Sequence, residues 1–227
     1  MAPTDLQDRM LSAISPDHKS EPPARWQQRK SAQTRQRLID AGIDCLLEGG
    51  YTGLTTAAVA ERCAVSRGAM HHHFPTRMDL VAATVEHVFY QRMRRFLSDY
   101  FAALKERGED LLIEVASEAH WLSVQTREYA AYLELAVAAR TDAELATLFD
   151  PAARLYDEVW TREMIEAFPQ WERHWDDFKL ASDFTQAAHM GLLLHRPMFG
   201  DDKGERIDRV RRLTTTVVRQ LYELPGE

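Results

Sequence analysis

Residues 55–77 read TTAAVAERCAVSRGAMHHHFPTR, and no other stretch constrains the fold of this chain as tightly. The pattern predicts two short helices joined by a tight turn, with a third helix announced by Pro75 and Thr76. The first short helix carries Val59, Ala60 and Cys63 on one face, and Ala64-Val65 makes the turn. Ser66 can cap the second helix by accepting a backbone N–H with its hydroxyl. That helix, Arg67 to His73, is poor in large apolar residues and rich in groups that bond phosphates and base edges. Such a surface, held across a short turn by a small apolar core, is the helix-turn-helix arrangement for entering a DNA major groove.

The composition fits an all-α protein. Leu, Ala and Glu are plentiful, while the 227 residues include only 10 Gly and 9 Pro, and long alternating apolar/polar runs are absent. No apolar run reaches the ~18 residues that a membrane span requires. Asp5, Asp8 and Arg9 stand where a secretory signal would have its apolar core, so a cytoplasmic location is expected, with no membrane partner. Cys45 and Cys63 fall at helical positions and read as buried free thiols rather than a disulfide framework.

The net charge of −7 hides an asymmetry. Residues 25–77 hold eight basic residues against four acids, a window of +4 that leaves −11 for the rest. A basic head on an acidic body suits a protein whose first part meets phosphate while the remainder stays off the DNA.

Periodicity and helix punctuation divide the chain into a mobile, basic-ended tail (1–30), a helix-turn-helix domain (31–76) and a helical domain (77–227). The tail contains Pro3, Pro16, Pro22 and Pro23, although Leu6, Met10, Leu11 and Ile14 leave room for a short amphipathic turn or two. Residues 25–37 read as a basic arm touching DNA or as an ordinary solvated helix start. A helix over 31–48 buries Leu38, Ile39, Ala41, Cys45 and Leu46 and ends at Gly49-Gly50. The helix after the turn opens with Thr76 and Asp79 as a capping box and carries Leu80, Val81, Val85, Val88 and Phe89 towards Leu104. Further helices are predicted over 109–125, 127–140, 142–167, 171–196 and 205–223. Thr141 and Glu144 form a capping box for the third of these, and Pro151 should kink or split it. A loop is expected over 197–204.

The stretch 37–80 resembles the DNA-binding domain of the tetracycline-repressor (TetR/AcrR) family of bacterial transcription regulators. The matching residues are Gly50-Tyr51, Thr55-Thr56, Val59-Ala60-Glu61-Arg62, Val65-Ser66-Arg67-Gly68-Ala69-Met70, His72-His73-Phe74-Pro75 and Asp79-Leu80, in unbroken register. Three positions depart from the family pattern: His71 replaces a tyrosine, Ala64 replaces the turn glycine and Arg77 replaces a lysine. The resemblance implies a homodimer bound to a double-stranded DNA operator and released by a small-molecule effector of unknown identity, with no cofactor. It also implies that the last two helices dimerise, with Gly191, Leu192, Leu193, Val210, Val217 and Leu221 at the interface.

Roles follow for individual residues. Arg67 can form two hydrogen bonds to a guanine edge, and Gly68 and Ala69 let the helix approach bases closely. Met70 should point into the core. Thr55, Thr56, His71, His73 and Arg77 are candidates for phosphate contacts, with Ser66 and His72 on the same DNA-facing segment. Helical neighbours point ~100° apart, so His71, His72 and His73 cannot converge on one metal ion. Ser66 sits where a cap is needed, with no nucleophile elbow around it, so no catalytic residue is assigned and an enzyme is not expected. Polar or aromatic residues amid apolar ones, namely His120, Tyr132, Glu134, Trp160, Met164 and His189, are the effector-pocket candidates. Two alternatives stay open: an architectural DNA-binding protein of the same fold without an effector, and a small-molecule carrier or enzyme that has lost DNA binding.

Overall fold

The computed structural model describes residues 3–16, 26–107, 112–167 and 169–223. Among the described residues every regular element is helical. The α-helices are α1 (Pro3–Ala13), α2 (Trp26–Gly53), α3 (Thr56–Arg62), α4 (Arg67–His73) and α5 (Arg77–Arg107). They continue as α6 (Leu112–Val124), α7 (Arg127–Ala139), α8 (Ala143–Ala167), α9 (Trp175–Leu194) and α10 (Lys203–Glu223). Two compact units result. A head unit comprises Thr4–Arg94 with Arg127–Thr161, and a second unit comprises Met1–Pro3, Arg95–Thr126 and Arg162–Glu227.

The head unit is built on the apolar stripe of α2. Leu38, Ile43 and Leu46 are fully buried and cluster with Leu54, Val59, Met70, Phe74, Leu80 and Val81 from the following three helices. Ala131 and Leu135 of α7 and Leu145 and Phe149 of α8 complete the same core, so the head extends beyond residues 31–76. Arg127 of α7 fastens the outer edge of α2. Its Nε bonds Asp44 Oδ1 at 3.1 Å and its terminal nitrogen bonds the Asp40 carbonyl at 2.7 Å.

Glycine shapes the end of α2. Gly50 sits at φ 63°, ψ −169°, a region that side chains other than hydrogen essentially forbid. A Cβ on Gly53 would lie 2.8 Å from the Cys45 carbonyl oxygen, so the chain turns back against its own helix there. Arg77 then locks the turn. Its Nε donates to the Leu54 carbonyl and a terminal nitrogen to the Tyr51 carbonyl, both at 2.8 Å, while the guanidinium lies 4.3 Å from the Tyr51 ring centroid. Thr76 and Asp79 cap α5 reciprocally: Thr76 N–H donates to Asp79 Oδ2 at 2.9 Å and Asp79 N–H to Thr76 Oγ1 at 3.1 Å.

Several expected boundaries differ from the structure. Residues Pro3–Ala13 form a helix with Leu6 and Met10 buried, rather than a mobile tail, because the i, i+4 spacing gives it an apolar face worth burying. The remainder of the tail, 17–25, including Arg25, lies outside the described residues, as do Gly108 and Phe168. Pro151 neither ends nor splits α8. It points to solvent, while Leu145 and Phe149 before it and Ala152, Ala153 and Tyr156 after it pack on one core, which outweighs a lost backbone bond. The cap of α8 is Asp142, whose Oδ1 accepts the Leu145 N–H at 2.8 Å, rather than Thr141. Residues Pro169–His174 form a 3₁₀ turn, and α9 begins only at Trp175, with Asp176 and Asp177 in its first turn, where the helix dipole favours negative charge. The expected loop at 197–204 is largely a 3₁₀ segment, Arg196–Asp202.

In the second unit, Val115 and Ala119 of α6 cluster with Tyr100 of α5. Helix α10 buries Ile207, Thr214 and Val218, and its Arg211 and Arg219 pair with Glu118 and Glu114 of α6.

Gly53→Ala is expected to destabilise the protein by about 1–3 kcal/mol through overpacking, measured by urea denaturation. Gly49→Ala, where an added Cβ meets nothing within 4 Å, should not. Equal effects of the two substitutions would contradict the close approach.

Candidate nucleic-acid interface

The presented surface is assembled by caps at each end of two seven-residue helices. Thr55 opens α3, its Oγ1 accepting the Ala58 N–H at 3.1 Å. At the other end Ala64 N–H bonds the Glu61 carbonyl and Val65 N–H the Ala60 carbonyl, each at 3.0 Å, a Schellman closure. That closure puts Ala64 at φ 53°, so the position that departs from the family glycine does adopt the left-handed conformation and carries ~1 kcal/mol of strain. Ser66 then restarts the helix, its Oγ accepting the Ala69 N–H at 3.1 Å.

Met70 and Phe74, each 2% exposed, pin the inner face of α4 to the head core. Most of the rest of α4 faces out. Ser66, Arg67, Gly68, Ala69, His71 and His72 are exposed, and His73 is half-buried. Arg67 has no hydrogen-bond or ion-pair partner among the described residues, which leaves its fork of donors available. The Thr55 and Ser66 hydroxyls accept one bond each as caps and keep their own O–H to donate, and Thr56 stands half-exposed beside them. Burial, reinforced by the neighbouring His72 and Arg35, holds the His73 imidazole below its usual pKa, so near neutral pH it is an uncharged donor. Along α2, Arg29, Lys30 and Arg37 are exposed, adding positive charge to the head.

Arg77 departs from the role expected of it. Three of its five N–H groups are engaged by Tyr51 and Leu54, so it positions the turn and keeps fewer donors for phosphate than the sequence suggests. Among the described residues no group of three His, Cys, Asp or Glu side chains gathers as a metal site would require.

The six effector-pocket candidates are divided between the two units. Tyr132 and Trp160 belong to the head unit; His120, Met164 and His189 belong to the second unit. Glu134 is exposed on α7, near Gly50, so it lines no enclosed site in the chain by itself. In the second unit, fully buried His189 and half-buried His120 face one another Nδ1 to Nδ1 at 3.0 Å, with rings stacked at 5.2 Å and Trp121 edge-on to His189 at 5.4 Å. In the head unit, Tyr132 stacks against the guanidinium of Arg92, a buried residue that the sequence reading passed over. Its signal was an arginine three and four residues beyond Phe89 and Val88, on the apolar stripe of α5.

Comparison with known proteins places this geometry. Residues 38–84 match the model of the bacterial regulatory proteins, tetR family. An uncharacterized HTH-type transcriptional regulator of Mycobacterium tuberculosis is 33% identical over 153 residues, covering 65% of this chain and 76% of the relative. The chain belongs to the tetR family. The HTH-type transcriptional regulator CymR of Pseudomonas putida is 28% identical over 205 residues, spanning 88% of this chain and 97% of CymR. A TetR-family structure from Streptomyces coelicolor shares the fold, with a TM-score of 0.54 at 22% identity over 85% of this chain and 98% of that one. The protein is thus a helix-turn-helix transcriptional regulator of the tetR family. Among the described residues no helix is long and apolar enough to cross a membrane.

Fully buried His189 is expected to make this regulator acid-sensitive. Burial, and secondarily the Arg211 charge, lowers the His189 pKa from 6.5 to about 4. A depressed imidazole contributes stability that is complete above the unfolded-state pKa and is lost as pH falls from about 6.5 towards 4, by about 3 kcal/mol in all. Urea denaturation at pH 7 and pH 5 should show this loss in the wild type and a smaller one in His189→Phe. Parallel pH dependences would contradict it.

Proposed function

We propose that the protein is a homodimeric repressor that binds a palindromic operator through α4 and is released by a small-molecule effector. The observation that carries the DNA-reading role is the division of α4 into a buried anchor, Met70, and an exposed face of Arg67, Gly68, Ala69, His71 and His72. Arg67 opens that face, where a forked donor can bond guanine O6 and N7, while Gly68 and Ala69 let the helix backbone lie close to base edges. Thr55, Thr56, Ser66, His71 and His73 hold register through phosphates and carry no sequence information themselves. In this reading residues 31–76 meet the DNA, and residues 77–227 bind the effector and dimerise.

The second unit supports dimerisation. Leu180, Phe184, Ala187, Gly191 and Leu194 recur at helical spacing along one stripe of α9, and Leu180, Phe184 and Leu194 are exposed. On α10, Val210 and Leu213 are exposed while Ile207, Thr214 and Val218 face inward. A Cβ on Gly191 would meet nothing within 4 Å, so its smallness serves no contact among the described residues and suits close approach of a second copy. Leu192 is buried within the unit and supports the helix from behind. A monomer with these apolar stripes uncovered would be poorly soluble. Two copies would present their α4 helices to successive major grooves ~34 Å apart, and an effector preferring a conformation with another spacing would lower operator affinity by that preference.

Duplexes selected from a random pool provide the probe. Arg67→Ala is expected to weaken binding to the selected duplex about 5- to 150-fold, the worth of one bidentate base contact, with little change on unrelated DNA. Equal losses on both would remove Arg67 from base reading. Leu213→Glu is expected to shift sedimentation from dimer to monomer and to abolish tight operator binding. A variant that stays dimeric would place the interface elsewhere.

A further inference from the structure

Arg92 lies on the apolar face of α5, 6% exposed, inside a box of aromatic rings. Its guanidinium carbon is 3.7 Å from the Tyr132 ring centroid, 4.8 Å from Tyr129, 5.2 Å from Tyr156 and 5.7 Å from Phe89. The rings come from three helices of the head unit: α5, α7 and α8. Phe149 extends the wall, with its ring 5.8 Å from Tyr132 and inclined to it by 29°. No carboxylate among the described residues pairs with this guanidinium, and its Nε is buried without a hydrogen-bond partner.

A sequestered cation normally has a paired and hydrogen-bonded anion, because ring faces compensate its lost hydration only in part. The surrounding hydroxyls do not supply that anion. Burial raises the Tyr156 pKa and pushes Tyr129 up to about 12, so both are neutral phenols. Neutral phenols bring no negative charge, so the charge of the guanidinium stays uncompensated within the box.

We propose that Arg92 and the ring box of Tyr129, Tyr132 and Tyr156 form the effector site, and that it takes a monocarboxylate carried on a flat apolar body. One guanidinium matches one negative charge, and its planar fork fits a carboxylate in two parallel bonds. The rings supply faces for a planar body to stack on, which a compact hydrated anion would leave unused. A phosphate dianion would bring a second charge for which this box offers no second cation. The site also has a route to the DNA-reading end. Arg92 and Arg77 lie on the same unbroken helix, four turns apart, and Arg77 holds the turn that carries α3 and α4. A ligand that draws Arg92 across the box pulls on that helix.

This assignment rests on the reading of the protein as an effector-released regulator, and the experiment separates the two. Calorimetric titration of the full-length protein uses benzoate, cinnamate and 2-naphthoate as probes, each against its neutral carboxamide. The carboxylates are expected to bind at least ten-fold more tightly than their amides. Arg92→Met should remove that preference, whereas His189→Phe in the second unit should keep it. Absence of a carboxylate preference in the wild type overturns the site without any need for a variant. A preference that survives in folded Arg92→Met also overturns it. Should Arg92→Met not fold, Arg92→Lys takes its place: it keeps the charge, loses the fork, and is expected to cut the preference at least several-fold, an unchanged preference overturning the site. Binding to the selected duplex is then measured with and without naphthoate. Carboxylate binding at Arg92 without an effect on DNA affinity would uphold the site and refute release by effector.

Discussion

The whole arrangement depends on how little of α4 is buried. A seven-residue helix has no stability of its own, because nucleation costs more than so few bonds return. Met70 and Phe74 dock it on the core, Ser66 caps its start, and the Schellman closure at Ala60 and Glu61 fixes the angle at which the chain enters. With those points held, the other residues of α4 are free of structural duty and can be chosen for DNA. Ala64 shows how firmly the geometry is imposed. The turn keeps its left-handed residue even where the side chain there opposes it.

The head is braced by basic residues, one of which, Arg77, the sequence places among the candidate phosphate contacts. Arg77 ties two carbonyls and a ring at the end of α2, and Arg127 ties α7 to Asp40 and Asp44 at the outer edge. Both convert a basic residue into a brace, and because Arg77 belongs to the basic window 25–77, the charge of that window overstates the number of cations free of bonds within the chain. Because α5 begins at the Arg77 brace and continues to Arg92, a single helix joins the DNA-reading turn to the aromatic box.

Much of the head was legible in the sequence because its elements are local. The caps at Ser66 and Thr76, the break at Gly50 and the inward Met70 are each dictated by a few adjacent residues. The readings that missed depended on partners far along the chain. Pro151 is tolerated because residues on both sides of it share one core, and α1 forms because Leu6 and Met10 find burial. Arg77 points inward because Tyr51 and Leu54 offer acceptors 23–26 residues away. The effector candidates could not be assigned to one unit for the same reason: spacing shows that a residue lies on an apolar face, not which faces meet. Arg92 was passed over because an arginine on an apolar stripe reads as an exception until the rings around it are placed.

Methylation interference on the selected duplex tests most directly whether the outward face of α4 lies in the major groove. Methyl groups on guanine N7 project into that groove, whereas those on adenine N3 project into the minor groove. Methylation at guanine N7 within each half-site should block binding of the wild type, and at one guanine per half-site the block should disappear in Arg67→Ala. Interference confined to adenine N3, with none at guanine N7, would contradict the account.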